Sequence, residues 1–251
     1  MSDITKGKDQ DISTDTKPVQ VSSRQALMKG LLGMAPMPTN KELRPPRLIF
    51  ALDATASREP TWEMACKVQR EMFKAVGGGL QVQLVFYGGK KCQAGPWVGT
   101  ADELSNMMMR ITCETGFTQI RKVLSHAVKE AQNGKLKGLV FVGDCYEEEP
   151  QELAKGAQAL GNLGVPCFVF QEGTSEAVCT DYPSVEHVFR QIANLSKGAY
   201  GRFDAGAADQ LARLLDAVAA YAAGGIEALS NRRDEAAVKL LEQLIAAEVG
   251  Q

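Results

Sequence analysis

The sequence predicts an α/β fold in which a doubly wound, mainly parallel central sheet is flanked by helices. Two observations predict it. Short apolar runs, of the kind that are buried on both faces of a parallel sheet, alternate along the chain with amphipathic segments of helical length. The chain has 251 residues, of which 45% are hydrophobic and 23% are charged, so it is long and apolar enough to bury such a sheet.

The first three elements are a strand, a helix and a strand. The run Leu48–Leu52 is wholly apolar, which is typical of a strand covered on both sides. The segment Thr61–Val76 has a helical pattern, because Pro60 suits a first helical turn and Gly77–Gly79 ends it. The next strand, Leu80–Tyr87, alternates at first and then becomes fully apolar.

The rest of the chain continues this alternation. A short edge element is predicted near Trp97 and Val98. Three more strands are predicted at Gly138–Gly143, Pro166–Phe170 and Ala199–Phe203. Apolar residues at helical spacing predict six helices, at Ala101–Met109, Gln119–Ala131, Pro150–Leu163, Val185–Leu195, Ala207–Ala222 and Ile226–Val249.

Three regions are predicted along the chain. Residues 1–42 form a flexible arm with one short helix, which Ser22 or Ser23 caps, because this stretch is polar and low in aromatic residues. Residues 43–222 form the sheet domain, and residues 223–251 form a C-terminal helical extension. The arm helix either docks on the domain or binds a partner, and the final helix either docks or pairs with another chain.

Charge and cysteine content exclude several classes of function. The formal net charge is −2, from 28 basic and 30 acidic side chains, so nucleic acid is not an expected partner. No apolar run approaches the roughly 18 residues that cross a bilayer, and no signal peptide begins the chain, which predicts a cytoplasmic protein without membrane insertion. The six scattered cysteines have no metal-site spacing and are predicted to be reduced thiols.

Oxygen-bearing side chains follow several of the predicted elements. Asp53, Thr55 and Ser57 come directly after the first strand, Thr118 precedes a helix, and Asp144 follows a buried strand. Because right-handed crossovers place the carboxyl ends of parallel strands at one edge, we expect these side chains to converge there. Carboxylate and hydroxyl oxygens are ligands for Mg²⁺. These side chains would leave coordination positions of the ion open for water or for a partner carboxylate.

These three segments resemble the metal-ion-dependent adhesion site (MIDAS) of von Willebrand factor A (VWA) domains, and the resemblance covers about residues 46 to 222. It implies a VWA/Rossmann-like fold and a divalent cation held by five ligands: Asp53, Thr55, Ser57, Thr118 and Asp144. Three positions depart from the family pattern. Thr55 replaces a serine but keeps the hydroxyl, whereas Phe117 and Cys145 each replace a glycine beside the proposed cation.

Five residues beside these ligands are predicted to form a partner-binding rim: Arg58, Glu59, Phe117, Cys145 and Glu147. The acidic run Glu147–Glu149 borders the same edge. It is expected either to form a solvated rim or to select the charge of a partner, and one of its glutamates could compete for the open metal position.

The resemblance implies a protein-binding module or scaffold that holds an acidic residue of a protein partner, such as an ATPase or chaperone, through Mg²⁺, with Mn²⁺ or Ca²⁺ as alternatives. Two other functions stay open. One is a Mg²⁺-dependent hydrolase of phosphate or carboxylate esters, for which the run Glu147–Glu149 offers the only candidate base. The other is a structural domain with a vestigial site. Catalysis is the less favoured hypothesis, because His126 and His187 lack a nucleophile turn nearby and no P-loop occurs.

Overall fold

The computed structural model describes residues 45–56, 62, 79–134, 136–173, 183–204 and 208–249. The predicted arm at 1–42, with its short helix, lies outside the described residues. So does almost all of the predicted helix Thr61–Val76, of which only Trp62 is described. The division of the chain into three regions therefore stays a prediction.

Six strands form one sheet in the order β3-β2-β1-β4-β5-β6. All neighbouring strands are parallel except β2 and β3, which are antiparallel. The strands are β1 Arg47–Asp53, β2 Gln81–Gly88, β3 Lys91–Val98, β4 Leu136–Gly143, β5 Cys167–Glu172 and β6 Ala199–Phe203. The prediction of a mainly parallel α/β sheet is confirmed.

Six helices of the described chain flank this sheet: α1 Ala101–Met108, α2 Ile120–Asn133, α3 Pro150–Asn162, α4 Val185–Leu195, α5 Ala208–Ser230 and α6 Glu235–Val249. Two of them begin with the chemistry expected of a first turn. Thr100 and Glu103 form a reciprocal capping box at the start of α1, and Pro150 occupies the first turn of α3. None of the described helices is long and apolar enough to cross a membrane.

Each face of the sheet buries its own hydrophobic core. In β1, Leu48, Phe50 and Leu52 point into the core formed with α1, α5 and α6. The alternate residues Ile49 and Ala51 point into the core formed with α2, α3 and α4. Because side chains of a strand alternate between faces, burial on both sides requires the continuous apolar run seen in β1. The sheet is therefore doubly wound.

Strand β3 is longer than the sequence predicts. The short edge element expected near Trp97 and Val98 is an eight-residue strand, Lys91–Val98, that pairs antiparallel with β2. Gly95 and Pro96 conceal it in the sequence, since both weaken a strand assignment. Proline is tolerated here because β3 is an edge strand, and one side of its backbone pairs with no other strand of the described sheet.

The predicted break between Ala222 and Ile226 is confirmed, because Gly224 and Gly225 have non-helical backbone angles, with a φ of 66° at Gly225. The range of α5 therefore joins two helical segments. The prediction of a single helix over Ile226–Val249 is wrong, because the second segment of α5 ends at Ser230. A separate helix, α6, then begins at Glu235. The sequence conceals this break, because the apolar residues on either side of it keep helical spacing.

Polar contacts hold the turn between the two C-terminal helices. The Asp234 carboxylate accepts a hydrogen bond from the Ala237 backbone N–H at 3.0 Å, which caps the start of α6. The Arg232 guanidinium contacts both Asp234 and Asp216. The turn therefore ties α6 back to the body of α5.

Helix α6 packs on the same domain as the sheet. Its residues Ala237, Leu240 and Leu244 are buried in the core that contains β1. Its Gln243 side chain also makes two hydrogen bonds to the backbone of Tyr200 in edge strand β6, at 2.8 and 2.9 Å. The structure therefore favours docking on the domain for the final helix, and the docked helix covers part of an exposed strand edge.

Candidate metal site at the carboxyl edge of the sheet

The two aspartates emerge at the same edge of the sheet. Leu52 of β1 pairs with Val142 of β4, so these parallel strands end level with each other. Asp53 is the last residue of β1, and Asp144 follows β4 directly. The Asp53 side chain is 1% exposed, and its Oδ1 accepts a hydrogen bond from the Thr55 backbone N–H at 2.8 Å. This bond sets the shape of the loop that leaves β1.

The loop before α2 lies against the loop that leaves β1. The Glu114 backbone N–H donates to the Ala54 carbonyl at 3.0 Å, and Thr55 forms an isolated parallel bridge with Glu114. Gly116 also permits a close backbone approach to the turn between β2 and β3, because a Cβ at this position would lie 2.1 Å from the Gly89 carbonyl oxygen. The two loops therefore form one packed surface above the sheet.

Thr118 joins this surface to the loop that follows β4. Its hydroxyl donates to the Glu148 carboxylate at 2.6 Å and accepts from the Glu147 backbone N–H at 2.8 Å. The Thr118 backbone N–H donates to the Glu147 carboxylate at 2.6 Å. These three bonds span about 30 residues of sequence, and sequence reasoning did not predict the contact of Glu148 with Thr118.

Tyr87 is a further residue of this site that the sequence did not indicate. It is the β2 residue opposite Asp53, and its side chain is fully buried. Burial raises the pKa of the Tyr87 phenol well above its usual value, and the nearby carboxylates of Asp53, Glu148 and Asp144 raise it further. The Tyr87 hydroxyl interacts with the Asp53 carboxylate. Three carboxylates of this edge therefore act on one buried phenol.

The predicted ligands fall into two groups. Asp53, Thr55, Thr118 and Asp144 lie on adjoining loops at one edge, whereas Ser57 lies outside the described residues. In the described part of the chain, no three histidine, cysteine, aspartate or glutamate side chains are grouped to hold a metal ion. A cation at this edge would therefore depend on hydroxyl oxygens as well as on carboxylates.

The predicted rim is only partly described, since Arg58 and Glu59 lie outside the described residues. Phe117 is 73% exposed, and Glu147 is exposed while its carboxylate contacts the Thr118 backbone. Cys145 forms a disulfide bond, so the prediction that all cysteines are reduced is wrong for this residue. The spacing of scattered cysteines gives no indication of which ones the fold brings together.

Comparison with known proteins shows the fold. No protein-family model and no curated protein matches the chain. A solved von Willebrand factor type A structure from Catenulispora acidiphila superposes with a TM-score of 0.58 at 15% identity, covering 72% of this chain and 43% of that one. The fold is that of a VWA domain. The SpRpn10 VWA domain also matches, with a TM-score of 0.51 at 10% identity, over 67% of this chain and 94% of that one.

A third solved structure that matches this chain is that of proximal thread matrix protein 1 from the mussel byssus, with a zinc-occupied MIDAS motif. It superposes with a TM-score of 0.53 at 15% identity, covering 69% of this chain and 44% of that chain. This chain thus spans less than half of two of these three matched chains. At such low identity, the likeness establishes the architecture, and the function has to be argued from the site.

Proposed function

We propose that this protein is a metal-dependent protein-binding module that holds an acidic partner residue through a divalent cation at the carboxyl edge of its sheet. The VWA fold is generally a protein-interaction module, which supports the proposal. The observation that carries it is the position of the buried Asp53, with Thr55, at the edge where Asp144 and Thr118 also lie. We propose Mg²⁺ as the ion.

The residues at this edge fit a hard divalent cation. Their donors are carboxylate and hydroxyl oxygens, which Mg²⁺ prefers, and no histidine or free thiol is among the proposed ligands. The three carboxylates around the buried Tyr87 phenol give the edge a negative potential that would attract a cation. When bound, the ion would supply positive charge and open coordination positions for a partner carboxylate.

Each described ligand has a distinct part in this proposal. Asp53 and Asp144 would supply negative charge, either directly or through water. Thr55 and Thr118 would supply neutral hydroxyl oxygens, which offset little of the ion's charge. The cation would then retain its attraction for an aspartate or glutamate of the partner, and the exposed ring of Phe117 would lie beside that contact.

The proposal predicts one Mg²⁺ site per chain. After treatment with EDTA and its removal, isothermal titration calorimetry with Mg²⁺ should fit a single site. Mg²⁺ at about 100 times its dissociation constant should raise the free energy of unfolding by roughly 2.7 kcal/mol. With Mn²⁺ as the ion, acetate should lower the water-proton relaxation rate relative to equal chloride, because a carboxylate displaces bound water. A protein that gives no saturable heat with either ion would contradict the proposal.

A further inference from the structure

Glu148 makes two hydrogen bonds at the edge of the proposed site. Its Oε2 accepts from the Thr118 hydroxyl at 2.6 Å, and its Oε1 accepts from the Arg121 backbone N–H at 3.1 Å. The second bond lies in the first turn of α2, where Gln119 makes no side-chain cap. The Glu148 carboxylate is thus held through both of its oxygens. It faces the Thr118 hydroxyl, which is the one hydroxyl that the loop before α2 contributes to the proposed ligands.

The bonds of the Thr118 hydroxyl leave one defined position open. A hydroxyl oxygen has one proton to donate and two lone pairs to accept with. The proton of Thr118 Oγ1 goes to Glu148, and one lone pair accepts the Glu147 backbone N–H at 2.8 Å. One lone pair therefore remains, and its direction is set by the other two bonds.

The fully buried Tyr87 lies opposite Asp53 in the sheet, and Glu148 is among the carboxylates that act on its phenol, together with Asp53 and Asp144. Glu148 therefore lies in the same electrostatic neighbourhood as both proposed aspartate ligands, although it is outside the ligand set and the rim predicted from the sequence.

We propose that Glu148 is a positioning residue of the metal site, whose carboxylate holds the Thr118 proton and so leaves the remaining lone pair of Thr118 Oγ1 to a divalent cation. This inference rests on the proposed function. Carboxylates that hydrogen-bond to a metal ligand fix its orientation and make it a better electron donor, and losing such a partner typically weakens metal binding by 10- to 100-fold.

The test compares Glu148→Gln with Glu149→Gln in the full chain. Both changes remove one negative charge from the same loop, but the exposed Glu149 makes no side-chain contact with Thr118. Mn²⁺ affinity is measured by electron paramagnetic resonance, which counts free Mn²⁺. We expect Glu148→Gln to weaken binding by about 10-fold or more and Glu149→Gln to change it by less than about 3-fold.

A double variant separates positioning from support of α2. In the Thr118→Val background, which has no hydroxyl to orient, Glu148→Gln should weaken Mn²⁺ binding much less than it does in the unaltered protein, because only the loss of one charge remains. An equal loss with and without Thr118 would overturn the inference, since Glu148 would then act through the start of α2. Tighter binding in Glu148→Gln would also overturn it, because Glu148 would be a competitor for the ion's open position.

The failure of this inference differs from the failure of the proposed function. If the unaltered protein binds Mn²⁺ and Glu148→Gln binds as Glu149→Gln does, only the role of Glu148 is overturned. If the unaltered protein does not bind Mn²⁺, both are overturned. Thermal unfolding in EDTA checks that each variant is folded before its affinity is compared.

Discussion

Replacing Asp53 with asparagine should weaken Mg²⁺ binding by at least about 100-fold. A unit charge at about 4 Å from another contributes roughly 4 kcal/mol at an effective dielectric constant of 20, which corresponds to a factor of several hundred in affinity. Asparagine has the same shape and keeps a side-chain oxygen for the bond from the Thr55 N–H, so the loop should be retained. Calorimetric titration with Mg²⁺ measures the loss.

The control for Asp53→Asn is Asp102→Asn, which removes the same charge from an exposed position in the first turn of α1. This variant should bind Mg²⁺ as the unaltered protein does. Circular dichroism in EDTA should show both variants folded. If Asp53→Asn retains Mg²⁺ affinity within a factor of about three, Asp53 is not a charged ligand of the ion.

Replacing Phe141 with alanine should lower the free energy of unfolding by about 3–5 kcal/mol. Phe141 in β4 is 2% exposed, and its ring packs between two other aromatic rings. It stacks on Tyr87 with ring centroids 6.4 Å apart, and it meets Phe189 of α4 edge-on at 5.5 Å. Removing the Phe141 ring leaves a cavity next to Tyr87, which lies beside Asp53 in the sheet.

Chemical denaturation measures this loss, and thermal unfolding should show a fall of roughly 2–4 °C for each kcal/mol lost. The control is Phe141→Leu, which keeps much of the buried volume and should lose less than about 2 kcal/mol. If Phe141→Ala lost under about 1 kcal/mol, the aromatic cluster would not be a main support of this part of the sheet. Since β4 leads into Asp144, we also expect weaker Mg²⁺ binding in the alanine variant.

The sequence predicts the strands that matter most for the site. The run Leu48–Leu52 has to be buried on both faces, and only a central strand of a doubly wound sheet provides that environment. Placing this strand also places Asp53 at its carboxyl end. The same reasoning locates Asp144 after β4, so the convergence of the two aspartates follows from strand topology alone.

Elements that depend on few apolar residues are harder to predict. Strand β3 lies at the edge, where alternate side chains face solvent, so its polar residues carry no clear pattern. The break between α5 and α6 depends on Arg232 and Asp234 meeting Asp216. That contact exists only after the two helices have packed, and the local sequence does not specify it.

The carboxylate environment of the site is the part that sequence reasoning missed. Glu148 bonds to Thr118, which lies 30 residues earlier in the chain. All three residues of the run Glu147–Glu149 are glutamates, so only the folded loop determines which of them bonds to the Thr118 hydroxyl. In the sequence, Tyr87 has the pattern of an ordinary buried strand residue. Only the strand register places it opposite Asp53. The side-chain chemistry of single residues is enough to propose metal ligands. The residues that contact those ligands depend on strand register and loop geometry, which the sequence does not show.

A crystal structure of the protein grown with Mn²⁺ is the most direct test of a cation site at this edge, because anomalous scattering locates the ion without assumptions about its ligands. We expect one strong peak at the carboxyl edge of the sheet, within coordination distance of oxygens from Thr55 and Thr118, with Asp53 and Asp144 in direct or water-mediated contact. Under conditions where Mn²⁺ binding is saturated in solution, a peak elsewhere on the protein with none at this edge would contradict it.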